Sequence, residues 1–157
     1  MAKAWKIAYL NPDQPLDICL RKILRTRFNE MISYEEGTLK GEDIEYLHNM
    51  RVASRRVQAV MKIFRSAFPR KKFKDEYMQV RVLIRALGVV RDSDVLIAKL
   101  ENLKLGMQDT DVKALDLLIA RHKTLREKKR KEMIQTIAGL NKLGYKENFY
   151  RFIESNL

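Results

Sequence analysis

His48, Arg51, Arg55, Lys62 and Arg65 recur at helical steps within residues 44–68, IEYLHNMRVASRRVQAVMKIFRSAF. At about 100° per residue, these side chains and Gln58 fall in one arc of about 100°, and no acid shares it. Met50, Ala53, Val57, Val60, Met61 and Phe64 occupy the opposing arc. A helix needs a single apolar stripe to dock on its neighbours, so packing accounts for one face and leaves the cationic one unexplained. A row of one sign suits an anion: Arg grips two phosphate oxygens at once and Lys adds a point charge. His48 can donate a hydrogen bond to a phosphate. No Asp or Glu lies three or four residues beyond Arg51, Arg55 or Arg56, so intrahelical pairing does not absorb them.

The whole chain repeats this imbalance. Its 157 residues hold 32 Lys and Arg against 20 Asp and Glu, a formal charge of +12. That balance calls for an anionic partner: nucleic acid, another polyphosphate or an acidic membrane surface. The length suits one domain with its own core, and an apolar share of 46% excludes a disordered chain. Cys19 is alone, so no internal disulfide forms; it is expected to be a buried, inert thiol in a reducing compartment. No clustered His and Cys spacing predicts a metal site, and no nucleophile and base stand out, so neither a cofactor nor catalysis is expected. The N-terminus lacks the apolar core of a secretory signal, and no apolar run reaches the ~18 residues that span a membrane. A soluble, cytoplasmic protein follows as the expectation.

The elements that must carry these groups read as helices. Residues 1–15 contain Pro12 and Pro15 and read as an N-terminal arm. Residues 16–157 read as a single bundle. From Leu16 to about Tyr34, Leu20, Ile23, Leu24, Phe28, Met31 and Ile32 recur at three- and four-residue steps, with Arg21, Lys22, Arg25 and Arg27 on or beside the polar side. A Glu35-Glu36-Gly37 turn and Gly41 separate this helix from the cationic one, where Glu42 and Asp43 oppose the positive end of the dipole. Pro69 ends the second helix, and Arg70, Lys71, Lys72 and Lys74 predict a cationic loop.

A third helix, Asp75 to Leu87, sets Arg81 and Arg85 one turn apart on its polar side. Gly88 is expected to cap it, and Asp92 or Ser93 to start a short helix ending near Leu103. Asp109, Thr110 and Asp111 open a long helix whose inner stripe runs through Val112, Leu115, Leu118, Ile119, His122, Leu125, Met133, Ile137 and Leu140. The charged block Arg121 to Lys131 is its outer side. Gly144 closes it, and Tyr145 to Ile153 forms a last aromatic-rich helix. No strand alternation, Gly-rich phosphate loop or sustained heptad pattern appears. The predicted fold is an all-α bundle of about five or six helices with short connections.

Two ordered motifs stand out: His48-x-x-Arg51-Val52-x-x-Arg55-Arg56, then Leu87-Gly88-x-x-Arg91-Asp92-x-Asp94-Val95-Leu96. Together they resemble the CHAD family, helical domains named for their histidine. The resemblance implies binding of inorganic polyphosphate through a basic face, with His48, Arg51, Arg55 and Arg56 contributed by the first motif and Arg91 by the second. Gln58 stands where that family commonly carries another Arg. The family domain is usually longer, with two similar helical bundles, and this chain resembles the first, roughly Leu16 to Leu157. His122-Lys123-Thr124-Leu125-Arg126 echoes the second bundle's motif only loosely. If a second copy supplies the other bundle, a homodimer results. Some members accompany a triphosphate-hydrolysing barrel, whose strand pattern and alternating glutamates are absent here.

The expected polyphosphate-binding set is therefore His48, Arg51, Arg55, Arg56, Lys62, Arg65, Arg81, Arg85 and Arg91. Asp92 and Asp94 are expected to cap a helix and to orient Arg91 or an arginine of the second helix. Two other readings compete. RNA or DNA phosphates could occupy the same face, although single-stranded binders interleave stacking rings with the charges and the strip has none before Phe64. A scaffold that docks an acidic protein is the third.

Overall fold

The computed structural model describes residues 3–156, leaving Met1 and Ala2 of the arm and Leu157 of the bundle outside. Among these residues there are six α-helices and no strand: α1 Leu16–Ser33, α2 Glu35–Lys40, α3 Ile44–Ile63, α4 Arg70–Leu103, α5 Asp109–Lys142 and α6 Tyr145–Asn156. The all-α bundle expected from the sequence is the fold. Among the described residues no helix is long and apolar enough to cross a membrane.

Apolar stripes of α1, α3, α4, α5 and α6 meet in one core around Leu24, Phe28, Met50, Val57, Leu87 and Ile137. α3 lies between α1 and α4, and α5 packs mainly along α4. α6 closes one end with rings: Phe149 stacks on Phe28 at 4.0 Å between centroids, and Phe152 on Phe68 at 4.6 Å. The segment ahead of α1 lies on that helix, where Lys22 donates to the carbonyl of Tyr9 and Arg27 to that of Trp5. Cys19 is only half-buried, its Sγ within 3.9 Å of the Gln14 carbonyl.

Glycine separates expectation from structure at Gly37 and Gly88, while Gly41 divides the helices as expected. Glu35-Glu36-Gly37 is helix α2, not a turn, and Gly37 is there because the Tyr46 ring occupies the place of a Cβ. Gly41, at φ 71°, is the residue that ends α2. Gly88 ends nothing: α4 runs unbroken from Arg70 to Leu103, and Gly88 is buried beneath the Arg51 side chain. A mid-helix glycine costs about 1 kcal/mol relative to alanine, which packing on both flanks of α4 offsets.

Other boundaries move for physical reasons as well. The cationic residues 70–74 form the first turn of α4, because Pro69 lacks only an N–H that a helix start leaves unpaired anyway. α3 stops at Ile63, and Arg65–Ala67 is a separate 3₁₀ turn. Arg65 thus leaves the strip and lies over the Phe73 ring, 5.9 Å from its centroid. In α5, Leu115, Ile119, Met133, Ile137 and Leu140 are buried, whereas Leu118 and Leu125 are exposed despite their place in the expected inner stripe.

Candidate functional site

Asp43 caps α3, its carboxylate accepting from the Glu45 N–H at 2.8 Å. The helix then buries Leu47, Met50, Ala53, Val57 and Met61 and turns Arg51, Arg55 and Lys62 outward. Two contacts fix how that face meets α4. The Arg51 guanidinium crosses Gly88, where a Cβ would stand 3.5 Å from Nε, and Nη2 lies 3.9 Å from a carboxylate oxygen of Asp92. Two turns further along α3, Gln58 borders the same groove as Arg81 and Arg85. The α3 strip and the α4 arginines therefore adjoin on one surface, as an antiparallel helix pair requires.

On this surface Arg55, Lys62, Arg81 and Arg85 are exposed, while His48, Arg51 and Arg91 are half-buried. Among the described residues no acid lies within 4 Å of Arg55, Lys62, Arg81, Arg85 or Arg91. Two polar atoms under the face, His48 Nδ1 and Arg51 Nε, are buried without a hydrogen-bond partner.

Arg56 departs from the expected set. Its guanidinium turns toward α1 and meets Glu30 at 2.5 Å, and Arg27 holds the other oxygen of that carboxylate at 2.8 Å. Glu30 is fully buried, so Arg56 serves an interior ion cluster. The sequence carries a faint signal for it: an acid one turn beyond Arg27, on the edge of the α1 apolar stripe.

The acids of the second motif also divide. Neither caps a helix, since both sit inside α4. Asp92 is exposed and approaches Arg51, an arginine of the second predicted helix, as anticipated. Asp94 is buried and accepts from Arg126 Nε of α5 at 2.8 Å rather than from Arg91. Next to it, Lys129 donates to the Ser93 hydroxyl at 2.9 Å. Arg126 and Lys129 escaped the sequence reading because their partners lie across a helix seam. The available signal was Asp94 itself, seven residues beyond buried Leu87 on an apolar stripe.

Two further carboxylates have shifted acidities. Burial pushes Glu35 upward, but hydrogen bonds from Lys146, Asn141 and Tyr145 outweigh it and hold the group below the usual carboxylate range. Glu76, at the α4–α6 junction, is pushed up to about 7 by burial and by neighbouring Asp75, with Arg151 opposing. Among the described residues no three His, Cys, Asp or Glu side chains stand close enough to share a metal ion.

Comparison with curated proteins gave no match. Comparison with solved structures gave none either. A family model does match: that of the CHAD domain, over residues 22–156, which takes in α3, α4, α5 and both sequence motifs. With that much of its length covered, this chain belongs to the CHAD family.

Proposed function

We propose that the α3–α4 face binds inorganic polyphosphate, or a similar linear polyanion, without catalysing a reaction on it. The observation that carries this reading is the group of exposed cations, Arg55, Lys62, Arg81 and Arg85, with no acid in reach on either helix. Exposed like charges repel one another, so such a group is retained at a cost that a bound anion removes. Polyphosphate carries about one charge per phosphate and no base edges, and a row of guanidinium groups is what it requires. Membership of the CHAD family supports the same ligand. His48, Arg51 and Arg91 complete the face, Asp92 positions Arg51, and Arg65 extends the face beyond α3.

Titration of the protein with polyphosphate, with and without Arg55→Ala, Arg81→Ala and Arg85→Ala together, tests the proposal. The triple variant is expected to bind at least ten-fold more weakly while its melting temperature stays within a few degrees, because all three are exposed and, among the described residues, their one side-chain hydrogen bond is a long one from Arg81 to the Met78 sulfur. Unchanged affinity would reject the face. Nucleic acid is the competitor to eliminate: RNA or duplex DNA, at equal phosphate concentration and physiological salt, is expected not to displace labelled polyphosphate. The protein is further proposed to act as a homodimer that joins two such faces.

A further inference from the structure

The unbroken course of α4 aligns Val82, Val89, Leu96 and Leu103 at seven-residue steps. They are 42%, 41%, 40% and 57% exposed. Four apolar residues at heptad spacing form a stripe about 32 Å long at 1.5 Å per residue, and within one bundle such a stripe should be covered. On α5, Leu118 and Leu125 repeat the spacing and are 41% and 42% exposed. Both stripes flank the α4–α5 seam on one side. At the bundle end of that side, the groove of about 490 Å³ that Arg81 and Arg85 border opens between Val82 and Val89 of α4 and Lys129, Glu132 and Met133 of α5.

Beyond Asp94 the two helices leave the bundle. Leu115 and Ile119 are buried between them but do not belong to the common core. Two helices alone cannot cover both flanks of their apolar surface, and four can. Charge favours like meeting like: residues 95–125 hold five Lys and Arg against four Asp and Glu, in a chain of +12. Two of those acids are already paired within the hairpin, Asp116 with Lys104 and Glu101 with Lys123. The hairpin, which carries Leu96 and Leu103, is the part of the molecule on which two strongly basic copies can approach, while Val82 and Val89 lie beside Arg81 and Arg85.

We infer that the Val82–Val89–Leu96–Leu103 stripe is a homodimer interface, packing against the same stripe of a second copy in a two-fold, four-helix arrangement. Polyphosphate has nothing apolar to offer these residues; the stripe adjoins the cationic face in the groove that Arg81 and Arg85 share with Val82 and Val89, and runs on beyond it to Leu96 and Leu103. Arg81 and Arg85 border the stripe at its bundle end, so pairing sets two basic faces side by side; only this last consequence rests on the proposed ligand.

Light scattering on a sizing column at tens of micromolar is expected to give twice the 18.5 kDa chain mass. The mass should persist in high salt, where phosphate contacts are lost but apolar ones are not. Val89→Glu with Leu96→Glu should give a monomer of unchanged helicity. If that variant fails to fold, Val89→Ser with Leu96→Ser should weaken the dimer at least ten-fold by sedimentation. Leu117→Glu, at a 75% exposed site off the stripe, should leave the dimer intact. A monomeric wild type, a stripe variant that stays dimeric, or equal disruption by Leu117→Glu overturns the inference. Loss of polyphosphate binding with the dimer intact would reject the ligand alone.

Discussion

Glu30 has no contact with water, yet two guanidinium groups close on it. Deleting one partner of a buried ion pair strands the other charges, and Glu30→Ala is expected to cost about 3–5 kcal/mol of stability, measured as a drop in the urea midpoint. Arg56→Ala should cost stability in the same way, whereas Arg55→Ala should be silent in that assay. This contrast separates two adjacent arginines that are indistinguishable by type. Glu76 gives a pH signature of its own. Because its pKa in the fold is raised from 4.5 to about 7, the folded state holds the proton more tightly, and stability falls as pH rises through that interval. Glu35 acts in the opposite sense: its pKa is lowered, so its contribution is present above pH 4.5 and is lost as acid protonates the folded state. Glu76→Gln should flatten the decline between pH 4.5 and 7 in chemical denaturation, leaving the acid limb in place.

Among the elements, α4 decides how the molecule is read. Taken as two helices broken at Gly88, it hides the register that joins Val82 and Val89 to Leu96 and Leu103. Taken as one, it carries a buried stripe toward the core and an exposed one away from it. Gly88 and Gly37 then make opposite predictions for one substitution. At Gly88 a Cβ meets Arg51 Nε at an ordinary 3.5 Å, so Gly88→Ala should raise stability by about 0.5–1 kcal/mol through helix propensity. At Gly37 the Tyr46 ring blocks the Cβ, so Gly37→Ala should destabilise the α2–α3 corner. Thermal melts of the two variants, moving in opposite directions, would check both. The seam between α4 and α5 depends on Asp94 with Arg126 and on Ser93 with Lys129. Asp94→Asn should therefore lower the melting temperature while exposed Asp92→Asn leaves it unchanged.

For the molecule as a whole, charge is unevenly placed: the projecting hairpin is almost balanced and the remainder carries nearly all of the +12. A linear polyanion laid on the α3–α4 face would displace its own counterions, so affinity should fall steeply with salt. Four or five cationic contacts imply a log–log slope of roughly −3 to −4.5, using roughly −0.7 to −0.9 per neutralised phosphate as in nucleic acids. The Arg55, Arg81 and Arg85 triple variant should shallow that slope by about 2, a change that isothermal titration at several salt concentrations resolves. Dimer mass over the same series should stay constant.

Periodicity alone determined that this protein is helical, because apolar residues at three- and four-residue steps admit no other buried surface. It also identified the cationic face of α3, since Arg51, Arg55 and Lys62 share one side of any helix built from those residues. The two motifs carried the family. Tertiary structure decided which cations are available: Arg56 and Arg55 are neighbours in sequence, and only the position of Glu30 on α1 draws one inward. It decided the meaning of the glycines, because whether a missing Cβ marks a break or a close approach depends on a ring or a guanidinium from another helix. It also exposed a heptad stripe that a supposed break had concealed, since packing against α3 and α5 carries α4 straight through Gly88.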